Sequence, residues 1–217
     1  MKKHIWTALL IAALAGTLLA QAPAPAPKPA PKPASPAGTA ATQIGGQFVK
    51  SPNGGQRYQG GKWIEVVYNR PIKRGRANLF GAGADYGKTL SDGSPVWRAG
   101  ANQTTRFKTE VALVFDGKTL PAGEYSLFIE LKEKAWTLIL SNWPAQEKYD
   151  PKNTQALWGS YGYTPDKDVL RAPLALGTLP FSVDQFTIAF LDMTGDGGTL
   201  AFLWDKTIAT VAFKAAK

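Results

Sequence analysis

Residues 124–140 read Glu-Tyr-Ser-Leu-Phe-Ile-Glu-Leu, then Lys-Glu-Lys, then Ala-Trp-Thr-Leu-Ile-Leu. Two runs rich in aliphatic and aromatic residues, joined by three charged ones, specify a β-hairpin. The same texture continues in both directions. Residues 63–68 (WIEVVY) read as a strand, and residues 110–115 (EVALVF) as another that ends at Asp116-Gly117. Downstream, residues 169–176, 186–191 (FTIAFL), 199–204 (TLAFLW) and 207–213 (TIATVAF) add four more runs, and a Gly-Asp-Gly-Gly turn separates the middle two. Outside the first twenty residues, no segment keeps a 3.6-residue apolar stripe for three turns. The expectation is an all-β chain: a single antiparallel β-sandwich or barrel-like domain over residues 44–217.

Two long stretches, 75–103 and 141–168, do not read as strands. Long irregular segments in a compact domain are usually functional or flexible, so any site is expected there.

The N-terminal region is of another kind. Lys2 and Lys3, an apolar run over residues 5–15, and Leu18-Leu19-Ala20 read as a Sec-type signal peptide over residues 1–20, cleaved after Ala20. The run is shorter than the ~20 residues a membrane span needs. Residues 22–37 follow as APAPAPKPAPKPASPA, in which seven of sixteen residues are proline. Such a segment favours extended polyproline II, so residues 21–43 are expected to be a disordered Pro/Ala-rich linker. The protein is expected to be exported, to the periplasm or beyond.

Composition then removes whole classes of chemistry. The 217 residues include no cysteine, which excludes disulfides, thiolate zinc sites and a cysteine nucleophile. The one histidine is His4, inside the leader, so a Ser-His-Asp triad and histidine-built metal sites are excluded from the processed chain. No cofactor or metal is expected. The net charge of +9 suggests a nucleic-acid partner until it is divided along the chain. Seven of the 25 basic residues precede Glu65, the first acidic residue, and the rest nearly balance the 16 acidic ones. A nucleic-acid domain carries its basic surplus on the domain itself, so nucleic acid is not an expected partner.

Three constellations remain. Asp85, Asp92, Asp166 and Asp168 lie in or beside the long irregular stretches and offer a carboxylate pair of the glycosidase kind. Asp192 and Asp196 resemble half a calcium loop, but a plain turn explains them better. The strongest set combines forked donors with an aromatic: Arg70, Arg76, Trp97, Arg98, Asn102 and Arg171, in segments that contain Gly75 and Gly100. Arginine forks suit carboxylates, phosphates and hydroxyl-rich ligands. The competing reading ties Arg98 or Arg171 to Asp168 or Glu124 as an internal network. Trp143, Tyr149, Trp158, Tyr161 and Tyr163 either stack on a ligand or plug one end of the sandwich.

Several motifs occur in fixed order: Tyr68-Asn69-Arg70-Pro71, Trp97-Arg98-Ala99-Gly100-Ala101-Asn102, Leu120-Pro121-Ala122-Gly123-Glu124-Tyr125-Ser126-Leu127-Phe128, and Trp204-Asp205-Lys206-Thr207. Together they resemble the domain of unknown function 2911 family of secreted bacterial proteins, over about residues 44–213. The resemblance implies a β-rich fold and life outside the cytoplasm, and it implies no activity. The function expected is a non-catalytic envelope or ligand-binding module for an anionic or polyhydroxyl ligand, a small molecule or a glycan. The alternative is a carboxylate-based hydrolase or lyase acting on envelope polysaccharide. Nothing in the sequence sets an oligomeric state.

Overall fold

A computed structural model describes residues 33–217. The leader and residues 21–32 of the linker lie outside the described residues. Eleven strands follow in order: β1 (Ala37–Ile44), β2 (Gln47–Lys50), β3 (Gln56–Gln59), β4 (Lys62–Asn69), β5 (Thr105–Thr109), β6 (Leu113–Phe115), β7 (Lys118–Leu120), β8 (Gly123–Glu130), β9 (Trp136–Ser141), β10 (Asp168–Leu191) and β11 (Gly197–Ala215). Nine of them form one sheet in the order β1-β4-β5-β8-β9-β10-β11-β6-β7, and β2 and β3 pair as a separate ribbon. Every ladder between strands is antiparallel.

The sheet makes two layers because β10 changes partner. Residues 168–174 pair with β9, and residues 175–191 pair with β11. Rings from strands before and after this change of partner then meet edge to face between the layers. Phe107 of β5 lies 6.2 Å from Phe115 of β6, and Tyr68 of β4 lies 5.7 Å from Phe186 of β10. The architecture is an antiparallel sandwich; the sheet does not close into a barrel.

The strands alternate as a half-buried sheet requires. In β4, Ile64, Val66 and Tyr68 point into the core while Trp63 and Glu65 point out. β8 departs from this pattern and is buried on both faces. Its Leu127 and Ile129 join the main core. On its other side Phe128 packs with Val96, Ile139, Leu157 and Tyr163 beneath the 142–167 segment. The outer face of the first layer is therefore roofed over β8 and β9, and open over β1, β4 and β5.

The structure corrects three boundaries. The linker expected to run to residue 43 ends earlier, because residues 37–44 pair with β4 at eight positions. In the run at 110–115 only Leu113–Phe115 is strand, and the Thr109 hydroxyl accepts from the Val111 backbone in the turn before it. The four C-terminal runs are two long strands. Their interruptions are bulges rather than breaks: the register shifts around Val183, and its partner Asp205 has φ 51°. The two irregular stretches are observed as such. The first holds a 3-10 turn at Gly83–Asp85 and one helical turn at Lys88–Ser91, the second a 3-10 turn at Pro165–Lys167.

Candidate functional site

The six residues favoured by the sequence do not form one site. Trp97 is a core residue, 1 % exposed. Its backbone pairs with Ile129, and its indole N–H donates to the Gly100 carbonyl at 3.2 Å. A ring so placed is a core side chain, closed off from solvent. Arg70 crosses Gly38 and donates to the Phe186 carbonyl and the Thr187 hydroxyl. Arg76 donates to the carbonyls of Ile72 and Lys73 while its guanidinium lies 5.6 Å from the Trp204 ring centre. Arg98 donates to the carbonyl of Asn102, which has φ 60°, and stands over the Tyr161 ring at 5.4 Å. Its carboxylate neighbour is Asp92 at 4.0 Å, not Asp168 or Glu124.

Arg171 does pair with Asp168, at 2.8 Å, and with Glu130 at 2.8 Å. The Tyr163 hydroxyl donates to the same Asp168 oxygen at 2.7 Å. Burial, and then the hydrogen bond to Asp168, push the Tyr163 phenol well above its ordinary pKa. Arg76 joins the first irregular segment to β11, Arg171 joins Tyr163 of the second to β8 and β10, and Arg98 ties the two segments to each other. The loop carboxylates are engaged as well: Asp85 with Lys88, Asp92 with the Tyr161 hydroxyl, and Asp166 with the Thr164 hydroxyl.

The open part of the outer face has a different character. Trp63 is 49 % exposed there, beside Glu65, Lys108 and Glu110. With Ala41 these residues line a depression of about 370 Å³. Register explains the grouping. Across β1, β4, β5 and β8 the rows run Ala41–Glu65–Lys108–Glu124 and Thr39–Val67–Arg106–Ser126. The Trp63 backbone N–H donates to a Glu110 carboxylate oxygen at 2.9 Å, which fixes the Trp63 end. Arg106 and Glu124 stand 3.8 Å apart, both about half exposed.

Depressions continue along the face. One of about 160 Å³ shares Glu65 and Lys108 with the first and adds Val67, Arg106 and Glu124. The next, about 240 Å³, shares Val67 and Arg106 and is walled by Asn69, Gln103 and Gln146. Asn69 donates its amide to Gln103 at 2.7 Å. Gln146 uses its amide to tie the covering segment, donating to the carbonyls of Asp150, Asn153 and Ala156. From Trp63 to Asn69 the groove is six residues long, ~20 Å at ~3.3 Å per strand residue.

The sequence contained a signal for this face that residue type alone hides. In Trp63-Ile64-Glu65-Val66-Val67-Tyr68 the alternation sends a tryptophan and a glutamate to the same side. An outward tryptophan among groups of both signs offers an aromatic face with polar partners beside it.

Among the described residues, no helix is long and apolar enough to cross a membrane. No curated protein matches this chain, and no solved structure matches it. A family model does match, over residues 51–213, which is most of the chain and takes in the open face apart from β1. The chain belongs to the family described as proteins of unknown function, DUF2911.

Proposed function

We propose that this chain is an exported, non-catalytic binding module whose ligand is a neutral, hydroxyl-rich chain, a glycan, laid along the open face. Residues 1–20 serve as its leader and the Pro/Ala-rich segment as its spacer. The observation that carries the reading is the half-exposed Trp63 indole among polar groups of both signs. An aromatic face takes the apolar C–H face of a sugar ring, while carboxylates accept from its hydroxyls and amides and cations donate to them. The charge on the face selects between the two ligand classes considered. Glu65, Glu110 and Glu124 outnumber Arg106 and Lys108, and a polyanion would meet like charge along the groove. Arg70, Arg98 and Arg171, the donors best suited to an anion, are taken up by internal partners.

One observation favours the hydrolase alternative. Glu65 and Glu124 lie two strands apart in one row, ~10 Å between backbones, near the upper end of the spacing of an inverting carboxylate pair. Lys108 stands between them and both sit on an open face rather than in a cleft, so binding is preferred. Incubation of the protein with cellulose, chitin and xylan, read both for retention on the polymer and for released reducing ends, separates the two. Retention without release is expected. Released ends abolished by Glu65→Gln would replace the binding reading with the hydrolytic one, and neither retention nor release would remove both.

A further inference from the structure

The β2–β3 ribbon belongs to neither layer of the sandwich, and the open face does not account for it. Its residue pairs set its two faces: Phe48 stands opposite Tyr58, and Val49 opposite Arg57. Phe48 is 70 % exposed, more than any other large hydrophobic side chain among the described residues. Its ring lies 5.3 Å from that of Tyr58, edge to face.

Tyr58 is not loose. Its hydroxyl accepts from the Gly46 backbone N–H at 2.8 Å, and its ring covers the base of the ribbon. A Cβ at either Gly46 or Gly61 would come within 2.5 Å of the Tyr58 Cε1 atom, so both positions need glycine for the ring to lie there. The base is also pinned to the body, since the Gly45 N–H donates to the Gly195 carbonyl at 2.7 Å.

The seat of Tyr58 leads back to the groove. The same absent Cβ of Gly61 would lie 3.0 Å from the Gln43 side chain, so Tyr58 and Gln43 are neighbours. Gln43 in turn pairs with Trp63 across β1 and β4. Phe48, Tyr58, Gln43 and Trp63 thus form a connected row that leaves the Trp63 end of the open face and runs out along one side of the ribbon.

We propose that the ribbon extends the binding face, with Phe48 as a second aromatic platform for the glycan chain that Trp63 holds. This rests on the reading of the Trp63 face given above, and it adds a specificity: the site prefers an oligosaccharide long enough to reach both rings over a short sugar. Holding Tyr58 in place before binding keeps the ordering cost of the platform low. A rival occupant of the ribbon is an anionic lipid surface, because Lys50 and Arg57 lie on it and no acidic residue precedes Glu65. The glycan is favoured because the aromatic side of the ribbon continues into the groove.

Calorimetric titration of the full chain with cello-, chito- and xylo-oligosaccharides, from disaccharide to octasaccharide, tests the extension. Affinity is expected to rise with chain length in the wild type. Phe48→Ala should remove that rise, by about ten-fold for the octasaccharide, and leave the disaccharide within about two-fold. Trp63→Ala should weaken binding at every length. Loss with Trp63→Ala but none with Phe48→Ala would overturn the extension and leave the face intact as a site. No effect of Trp63→Ala would overturn the reading beneath it. Loss of Phe48→Ala affinity for vesicles containing anionic lipid, with oligosaccharide binding unchanged, would assign the ribbon to a membrane surface and overturn the extension.

Discussion

The indoles of Trp97 and Trp204 stack with 6.0 Å between ring centres and 12° between planes, joining the irregular 75–103 segment to β11. Phe186 closes the cluster, 4.9 Å from Trp97 and 5.8 Å from Trp204. The tryptophans of two of the motifs that carry the family resemblance therefore meet inside the core, where they hold the layers together. Trp97→Ala should cost about 3–5 kcal/mol of stability, in the range found for buried aromatic truncations. Urea denaturation of wild type and variant measures it, and a loss below about 1 kcal/mol would contradict the core assignment.

Arg98 provides the contrast between an internal and a ligand-facing arginine. Its side chain is 11 % exposed, and its guanidinium lies against the position a Cβ of Gly159 would occupy. Arg98→Ala should lower stability by about 1.5–3 kcal/mol through the lost charged hydrogen bond to Asn102. Oligosaccharide affinity should not change. Unchanged stability with collapsed affinity would restore Arg98 to a binding site.

The Asp205 carboxylate accepts from Lys73 at 2.5 Å and from the Ser182 hydroxyl at 2.7 Å. The Lys73 hydrogen bond, then that of Ser182, hold it below its ordinary 3.8. The folded-state value is thus lower than the unfolded one. The stabilisation is complete above the unfolded pKa and is lost as pH falls through the folded one. Asp205→Asn keeps a residue that tolerates the positive φ at this bulge. Its denaturation midpoint should fall less steeply with acid than that of the wild type. Parallel acid profiles would show that this carboxylate does not contribute to the dependence.

Gly61 tests whether the ribbon base is built. Gly61→Ala would place a methyl group against Tyr58 and Gln43, so the Tyr58 ring must leave its seat. The Gly46 N–H, which donates to the Tyr58 hydroxyl, should then exchange with solvent faster, while amides of β8 and β9 keep their protection. Unchanged exchange at Gly46 would contradict the packing described.

Much of the fold was legible in the sequence because its signals are local. The β8–β9 hairpin joins neighbouring segments, and its aromatic and aliphatic runs state their own structure. β1 was not legible. Up to its last residue, Ile44, β1 is made of small and polar residues, and β4 pairs with it along its whole length. The arginines misled for a related reason. Beside Gly75 and Gly100 they read as ligand groups, yet the glycines that make room for them are remote in sequence: Gly38 under Arg70 and Gly159 under Arg98. The open face is not legible in any one segment, because Trp63, Lys108 and Glu124 come from three strands and only the register brings them together.

The most direct test of the account is the affinity of wild type and Trp63→Ala for neutral oligosaccharides, measured by titration calorimetry alongside thermal melting of each protein. Trp63 is half exposed, so its removal should cost about 1–3 kcal/mol from the buried half of the ring and leave the protein folded. The account predicts binding by the wild type, a loss of about ten-fold or more in the variant, and a variant that still melts cooperatively above the titration temperature. Equal affinity in the two proteins, or no binding by the wild type to cello-, chito- or xylo-oligosaccharides, would contradict it.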